Sequence, residues 1–495
     1  MNPEKHLLSK SAFIRGLQCP KSLFLYKYYP QLRDPVPPER QAVFQRGTNI
    51  GILARDLFPG GVDASPKNIR QYSESIAKTK ALIESGTEVI YEAAFQSGRV
   101  LAALDILAKK DGKWYAYEVK SSSRITPSHI LDAALQYHVI VNAGLELEDF
   151  YLAHLNTNYM RKGAIDPHSL FKIVSVGKQA RSKGEMIAAQ IEKQKEILNL
   201  SQVPEVAIGE HCFSPYSCDF MGHCWKGVPH DSVFNLGGMR KAELFSLYNS
   251  GIRRIDDIKD DTSFPEEVKI QLQTLRSETP LIDTRRLKEY MSGIHYPLFF
   301  LDFETTMPAV PLYEKTHPYQ HLPFQYSLHY KKDRDAELKH VEFLAETHSD
   351  PRKSFLLSLL EHTAGWGDIL VYYATFERSI FNSLKKDFPE YGEEIDKRLA
   401  RIRDLIIPFA DRIYYHPAMK GSSSIKNVLP ALVPGFSYEG LKITNGNVAM
   451  TVYEQLRSES DLFAQQEKRE ALLAYCSMDT LAMVKIYEVL EKAVF

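Results

Sequence analysis

No stretch of the 495-residue chain is long and apolar enough to span a bilayer, and the opening MNPEKHLLSK lacks the apolar centre of a secretory leader. A soluble, cytoplasmic protein with no membrane partner is expected. Cysteine is scarce, five in all and an odd number, which excludes a disulfide scaffold. Net charge is scarce too: 61 Lys and Arg against 62 Asp and Glu leave -1, so any binding to nucleic acid must rest on local patches. What remains is an ordinary globular composition, 44% hydrophobic and 25% charged, with room for two or three domains.

The first chemical signal is a β-hairpin. Residues 100–107 form an apolar run, 109–113 a charged Asp-Gly turn, and 114–119 an aromatic and β-branched run. Glu118 and Lys120, two apart on a strand, share a face, and the hairpin can bring Asp105 to them. Two carboxylates about 4 Å apart repel by about 4 kcal/mol at an effective dielectric of 20, a cost that a divalent cation removes. Asp105, Glu118 and the backbone carbonyl of Val119 would hold Mg2+ or Mn2+, with Lys120 orienting a water or stabilising phosphate charge. A surface hairpin with solvated charges is the plainer alternative.

Around the hairpin the pattern predicts helices in 1–58, at 69–85, 128–143 and 178–198, and strands at 87–95 and 150–157, giving an α/β domain with a mixed sheet. Cys212, Cys218 and Cys224 follow within GEHCFSPYSCDFMGHCW, five residues between neighbours. Such a loop can wrap three thiolates around one centre, with Cys19 as fourth ligand; zinc completed by Cys19, His211 or His223 stays open. Cys19, Asp105, Glu118-Val119-Lys120 and the cysteine triplet together resemble a RecB-type PD-(D/E)XK nuclease with a four-cysteine iron–sulfur staple. That resemblance implies DNA cleavage with Mg2+ or Mn2+, a 4Fe-4S cluster that pins the fold, and Gln136 of DAALQYHVI as the glutamine on the helix after the lysine. The chain departs from that pattern in having no His after Gly47 and in its wider cysteine spacing.

A second acidic signal lies in HYPLFFLDFETT, an apolar strand whose end places Asp302 and Glu304 on one face. Charges at the end of a core strand are costly unless paired or bound to a cation. Residues 323–330 and 341–344 supply candidate antiparallel neighbours, 369–373 a further strand, and Glu377 opens a helix. Residues 467–491 read as one helix carrying Tyr475 and Asp479 four apart, hence on one face. Asp302-x-Glu304, Ala374-Thr375-Phe376-Glu377 and Tyr475-x-x-x-Asp479 resemble the three motifs of DnaQ-like exonucleases of the RNase H-like fold. The resemblance implies metal ions on Asp302, Glu304, Glu377 and Asp479 and a water positioned by Tyr475. Glu377 stands where that family has Asp, and the helix at Ser424-Ile425-Lys426-Asn427-Val428 fits the segment between its second and third motifs.

The expected organisation is a nuclease domain at 1–228, a helical connector at 229–290 that reads as a plain linker bundle with a degenerate helix-hairpin-helix as the alternative, and an exonuclease domain at 291–495. The expected function is hydrolysis of DNA ends or single strands in repair, recombination or defence, beside a helicase or defence partner. Two alternatives are a scaffold that binds nucleic acid without cutting it and an RNA 3′ exonuclease using only the C-terminal module.

Overall fold

A computed structural model describes residues 8–68 and 71–495. The chain is a mixed α/β protein that divides into two compact units, one comprising the described part of Met1–Gly227 with Pro308–Tyr319, the other Val228–Met307 with Gln320–Phe495. Among the described residues no helix is long and apolar enough to cross a membrane.

The first unit is built on a seven-stranded sheet. Its strands are β1 (Leu8–Ser9), β2 (Val62–Asp63), β3 (Val89–Ser97), β4 (Val100–Lys110), β5 (Lys113–Lys120), β6 (Leu147–Leu155) and β7 (Phe171–Ser175). They are ordered β2-β3-β4-β5-β6-β7, with β1 pairing parallel to β4. The β4–β5 hairpin forms because Asp111 and Gly112 both take positive φ, +51° and +78°, the conformation a two-residue turn between twisted strands requires. Helix Pro127–Asn142, capped by Thr126, lays Ala133, Ala134, Leu135, Val139 and Ile140 into a core shared with Leu8, Phe13, Leu104 and Phe150. The helix expected at 178–198 is two, Gly177–Ser182 and Gly184–Leu198, broken where Lys183 leaves helical geometry before a glycine, the weakest helix former after proline. The helix expected from Ile69 runs over Tyr72–Glu84; Ile69 and Arg70 lie outside the described residues.

The second unit opens with helices Lys241–Asn249 and Glu266–Ser277, which close a small core of Val233, Leu236, Leu244, Phe245, Val268 and Leu272. After β8 (Leu281–Ile282) comes a five-stranded sheet: β9 (Leu298–Thr306), β10 (Leu322–Lys331), β11 (Lys339–Leu344), β12 (Asp368–Val371) and β13 (Ile402–Asp404). Its order is β11-β10-β9-β12-β13, antiparallel from β11 to β9 and parallel from β9 to β13, and β14 (Tyr414–Tyr415) returns to pair with β8. Strand β9 is covered on both faces. Phe299, Leu301 and Phe303 enter one core, while Leu298 and Phe300 enter another with Met483, Ile486 and Tyr487 of helix Leu462–Lys492. Asp302 and Glu304 therefore point to the side where that long helix packs.

Gly367, just before β12, holds φ +92°, and a Cβ there would lie 2.1 Å from the Pro297 carbonyl oxygen. Gly435, at φ +85°, has open space around it. Both Gly→Ala changes carry the left-handed penalty, but only Gly367→Ala adds a backbone collision beside β9. Urea unfolding should show Gly367→Ala less stable than Gly435→Ala by more than about 1 kcal/mol; equal losses would contradict this packing.

Candidate functional site

In the first unit the hairpin pairs Ile106 with Tyr117 and the ladder then stops, because the Asp105 carboxylate takes the Val119 N–H at 2.6 Å. Glu118 is 1% exposed. Its Oε1 accepts from Lys120 Nζ at 2.8 Å and from Lys10 Nζ at 2.5 Å. Lys10 opens helix Lys10–Gln18, capped by Ser9, and also lies 3.8 Å from Asp132. Lys120 bonds Asp132 as well, and Gln136 Nε2 donates to Asp132 Oδ1 at 3.4 Å, one turn along the same helix. Asp105, Glu118, Lys120 and Gln136 thus converge, joined by Lys10 and Asp132, which sequence reasoning passed over.

Charge inside this group is largely self-compensated. Burial alone would raise Glu118, but Lys10 and Lys120 outweigh it and hold the carboxyl well below its ordinary range. Burial would lower Lys10, and Asp132, Glu118 and Asp105 instead raise it. Asp105 is pushed up to about 8, by burial first and by Glu118 second. Glu118 Oε2 and Gln136 Oε1 are buried without a hydrogen-bond partner among the described residues.

The cysteine expectation is corrected. Cys19, Cys212, Cys218 and Cys224 line one small cavity. Among the described residues, however, the group of three or more potential ligands whose donor atoms come within 4.8 Å of one another is Asp302, Glu304 and Asp479, with no cysteine or histidine in it. Burial pushes the Cys19 and Cys224 thiols up. Cys218 Sγ instead lies 3.5 Å from Ser22 Oγ, and Cys212 Sγ 3.8 Å from His211 Nε2. Neither a 4Fe-4S cluster nor zinc is supported.

The second unit gathers the acidic group. Asp302 and Glu304 come from β9 and Asp479 from the buried face of helix Leu462–Lys492. Burial comes first in raising all three. Asp302, partly exposed, is also pushed up by Asp479, Glu304 and Glu377. Glu304 rises to about 8 with help from Asp479 and against Lys426. Asp479 reaches about 6, held down by hydrogen bonds from Tyr438 and Tyr475 and by Lys426. The Tyr438 hydroxyl donates to Asp479 Oδ1 at 2.6 Å. Lys426 Nζ lies 3.5 Å from the Tyr475 hydroxyl and 5.2 and 5.3 Å from the Tyr438 and Tyr475 ring centres.

Glu377, 2% exposed in the first turn of helix Thr375–Asp387, is pushed up to about 8 by burial and by Asp404. Its Oε2 has no hydrogen-bond partner among the described residues. Asp404, at the end of β13, accepts the N–H groups of Tyr373 and Ala374 at 2.9 and 2.8 Å and so fixes the turn that delivers Glu377. Asp404, Lys426 and Tyr438 had not been assigned roles; only Lys426, inside the 424–428 helix, lay in a segment already singled out. Two buried carboxylates and a partly exposed one, with a fourth unsatisfied carboxylate nearby, form a donor set suited to a hard divalent cation, which prefers oxygen ligands.

Acids whose folded pKa exceeds the unfolded value of about 4 bind more protons when folded, so they erode stability as pH rises from about 4.5 to 8. For protein stripped of divalent ions, the thermal midpoint should fall more steeply between pH 5 and 8.5 in wild type than in Asp302→Asn. Parallel curves would show that the acidic group is not strained. In the first unit, Lys10→Met should cost about 3–5 kcal/mol in urea unfolding by leaving Glu118 undercompensated, and a loss under 1 kcal/mol would refute that role.

The comparisons bear on the second unit. No curated protein matches the chain. The sequence of residues 299–424 matches a family described as a domain of unknown function, DUF2779, and that stretch holds Asp302, Glu304, Glu377 and Asp404. The match is to a family without an assigned activity, so the resemblance to RecB-type PD-(D/E)XK and DnaQ-like, RNase H-like nucleases is corrected: with the cysteine staple unsupported, the fold stands as mixed α/β, and similarity to DUF2779 over residues 299–424 is the family likeness found.

Proposed function

We propose that the protein hydrolyses phosphodiester bonds of nucleic acid with Mg2+ or Mn2+ held at Asp302, Glu304 and Asp479. The observation that carries this reading is the approach of three carboxylates from a strand and a helix to within 4.8 Å in a largely buried site. A divalent ion bound there supplies Lewis acidity toward a phosphoryl oxygen and a more acidic water. Glu377 Oε2, free of protein partners among the described residues, is the natural fourth carboxylate. Tyr475, 5% exposed and next to Lys426, would orient the attacking water through its hydroxyl. Lys426 would offset charge on the phosphate as it already offsets charge on Glu304 and Asp479.

Asp105, Glu118, Lys120 and Gln136 would form the second module, and Lys10 decides its rank. Two ammonium groups already neutralise Glu118, and the Val119 N–H is committed to Asp105. This favours a role in gripping nucleic acid over one in cutting it. DNA ends or single strands are the proposed substrate, with RNA the other outcome of the same assay.

Purified protein with Mn2+ should degrade end-labelled single-stranded DNA, with duplex DNA and RNA run in parallel. Asp302→Ala should lower the rate by about a hundredfold or more, the scale on which a misplaced reacting group is felt, while Asp105→Ala keeps most of it. Inert wild type on all three substrates, or an Asp302→Ala variant as active as wild type, would end the proposal.

A further inference from the structure

Tyr373 sits between β12 and helix Thr375–Asp387 with φ +76°. A bulky aromatic residue in the left-handed region is a true conformational outlier, since glycine or asparagine takes that geometry with far less strain. Burial does not compensate for it: the side chain is 60% exposed. The backbone is locked there by Asp404, whose Oδ1 and Oδ2 accept the N–H groups of Tyr373 and Ala374. The flanking Tyr372 is pinned by its hydroxyl to the Ser423 carbonyl at 2.5 Å. A strained, exposed ring on a rigid turn contributes little to folding, and such strain gathers where a ligand is met.

The location specifies that ligand. Strands β9 and β12 run parallel with Leu370 opposite Phe300. The pairing ends there, two residues short of Asp302 on β9 and three short of Tyr373, so Asp302 and Tyr373 both lie just beyond the same end of the β9–β12 ladder. Glu377 follows one helical turn later.

We infer that Tyr373 is a stacking platform for an unpaired nucleobase, which makes it a substrate-positioning residue and makes single-stranded nucleic acid, or a frayed end, the preferred substrate. The inference rests on the phosphodiesterase reading and names its substrate class. An exposed aromatic face binds any base through its π-surface, whereas bases within a duplex are already stacked on one another.

The test measures binding, not cleavage. Fluorescence anisotropy with a labelled single-stranded oligonucleotide, in Ca2+ to suppress turnover, is compared across wild type, Tyr373→Phe, Tyr373→Ala and Tyr373→Gly. Tyr373→Phe should bind like wild type, and Tyr373→Ala about 5–150-fold more weakly, the span of base–aromatic stacking. With a fully abasic sugar–phosphate strand of the same length, all four should bind alike. Tyr373→Gly should lose the same affinity while gaining thermal stability, because glycine tolerates the left-handed turn. Unchanged affinity in Tyr373→Ala, an equal loss on the abasic strand, a less stable Tyr373→Gly, or no binding by wild type would each overturn the inference. Tyr373-dependent binding by a protein that never cleaves would overturn the hydrolase reading alone.

Discussion

Mutual repulsion among Asp302, Glu304 and Asp479 is the constraint on which the second unit depends. At about 4 Å separation and an effective dielectric of 20, each pair of ionised carboxylates would oppose folding by about 4 kcal/mol, comparable to a large part of a domain's net stability. The fold imposes this proximity through elements that have strong reasons of their own to be where they are. Strand β9 is sealed between two apolar cores, and the 31-residue helix Leu462–Lys492 buries Met483, Ile486 and Tyr487 against it. Without a cation the protein's remaining recourse is protonation, and burial, joined at Glu304 by the charge of Asp479, raises Glu304 to about 8 and Asp479 to about 6.

The first unit meets a similar problem in a different way. Glu118 and Asp132 are brought together in the sheet–helix interior, but Lys10 and Lys120 enter with them, so repulsion is exchanged for ion pairs. Breaking such a pair is far more damaging than its net contribution suggests, because the survivor is left buried and charged. The two constellations contain similar acids and differ in their counter-ions: Lys10 and Lys120 pair directly with the acids of one, whereas in the other Lys426 offsets charge on Glu304 and Asp479 from a distance. That difference makes the acidic group of the second unit the stronger candidate for binding a cation.

Much of this was legible because it depends on short-range pattern. The run LFFLDFETT announces a buried strand with two acids on one face, Tyr475 and Asp479 lie four apart on a helix, and Asp111-Gly112 marks the hairpin turn. Lys10 was not legible: it lies 108 residues from Glu118, and nothing local distinguishes it from a solvated lysine. Asp132 had a faint signal, four residues before Gln136 on one helix, whereas Tyr438 had none. The cysteines misled because closeness in sequence is not convergence of sulfur atoms; Cys212, Cys218 and Cys224 share a loop and a cavity wall, yet among the described residues no three cysteine sulfurs come within 4.8 Å of one another. Tyr373 illustrates the converse, since what sets it apart is a backbone angle that no residue pattern encodes.

Calorimetric titration of Mn2+ into protein first stripped of divalent ions tests the central claim most directly, with wild type, Asp302→Asn and Asp105→Asn compared at pH 8. The account predicts saturable binding to wild type that persists in Asp105→Asn and disappears in Asp302→Asn. Absence of binding to wild type, or binding that survives Asp302→Asn and is lost in Asp105→Asn, would contradict it.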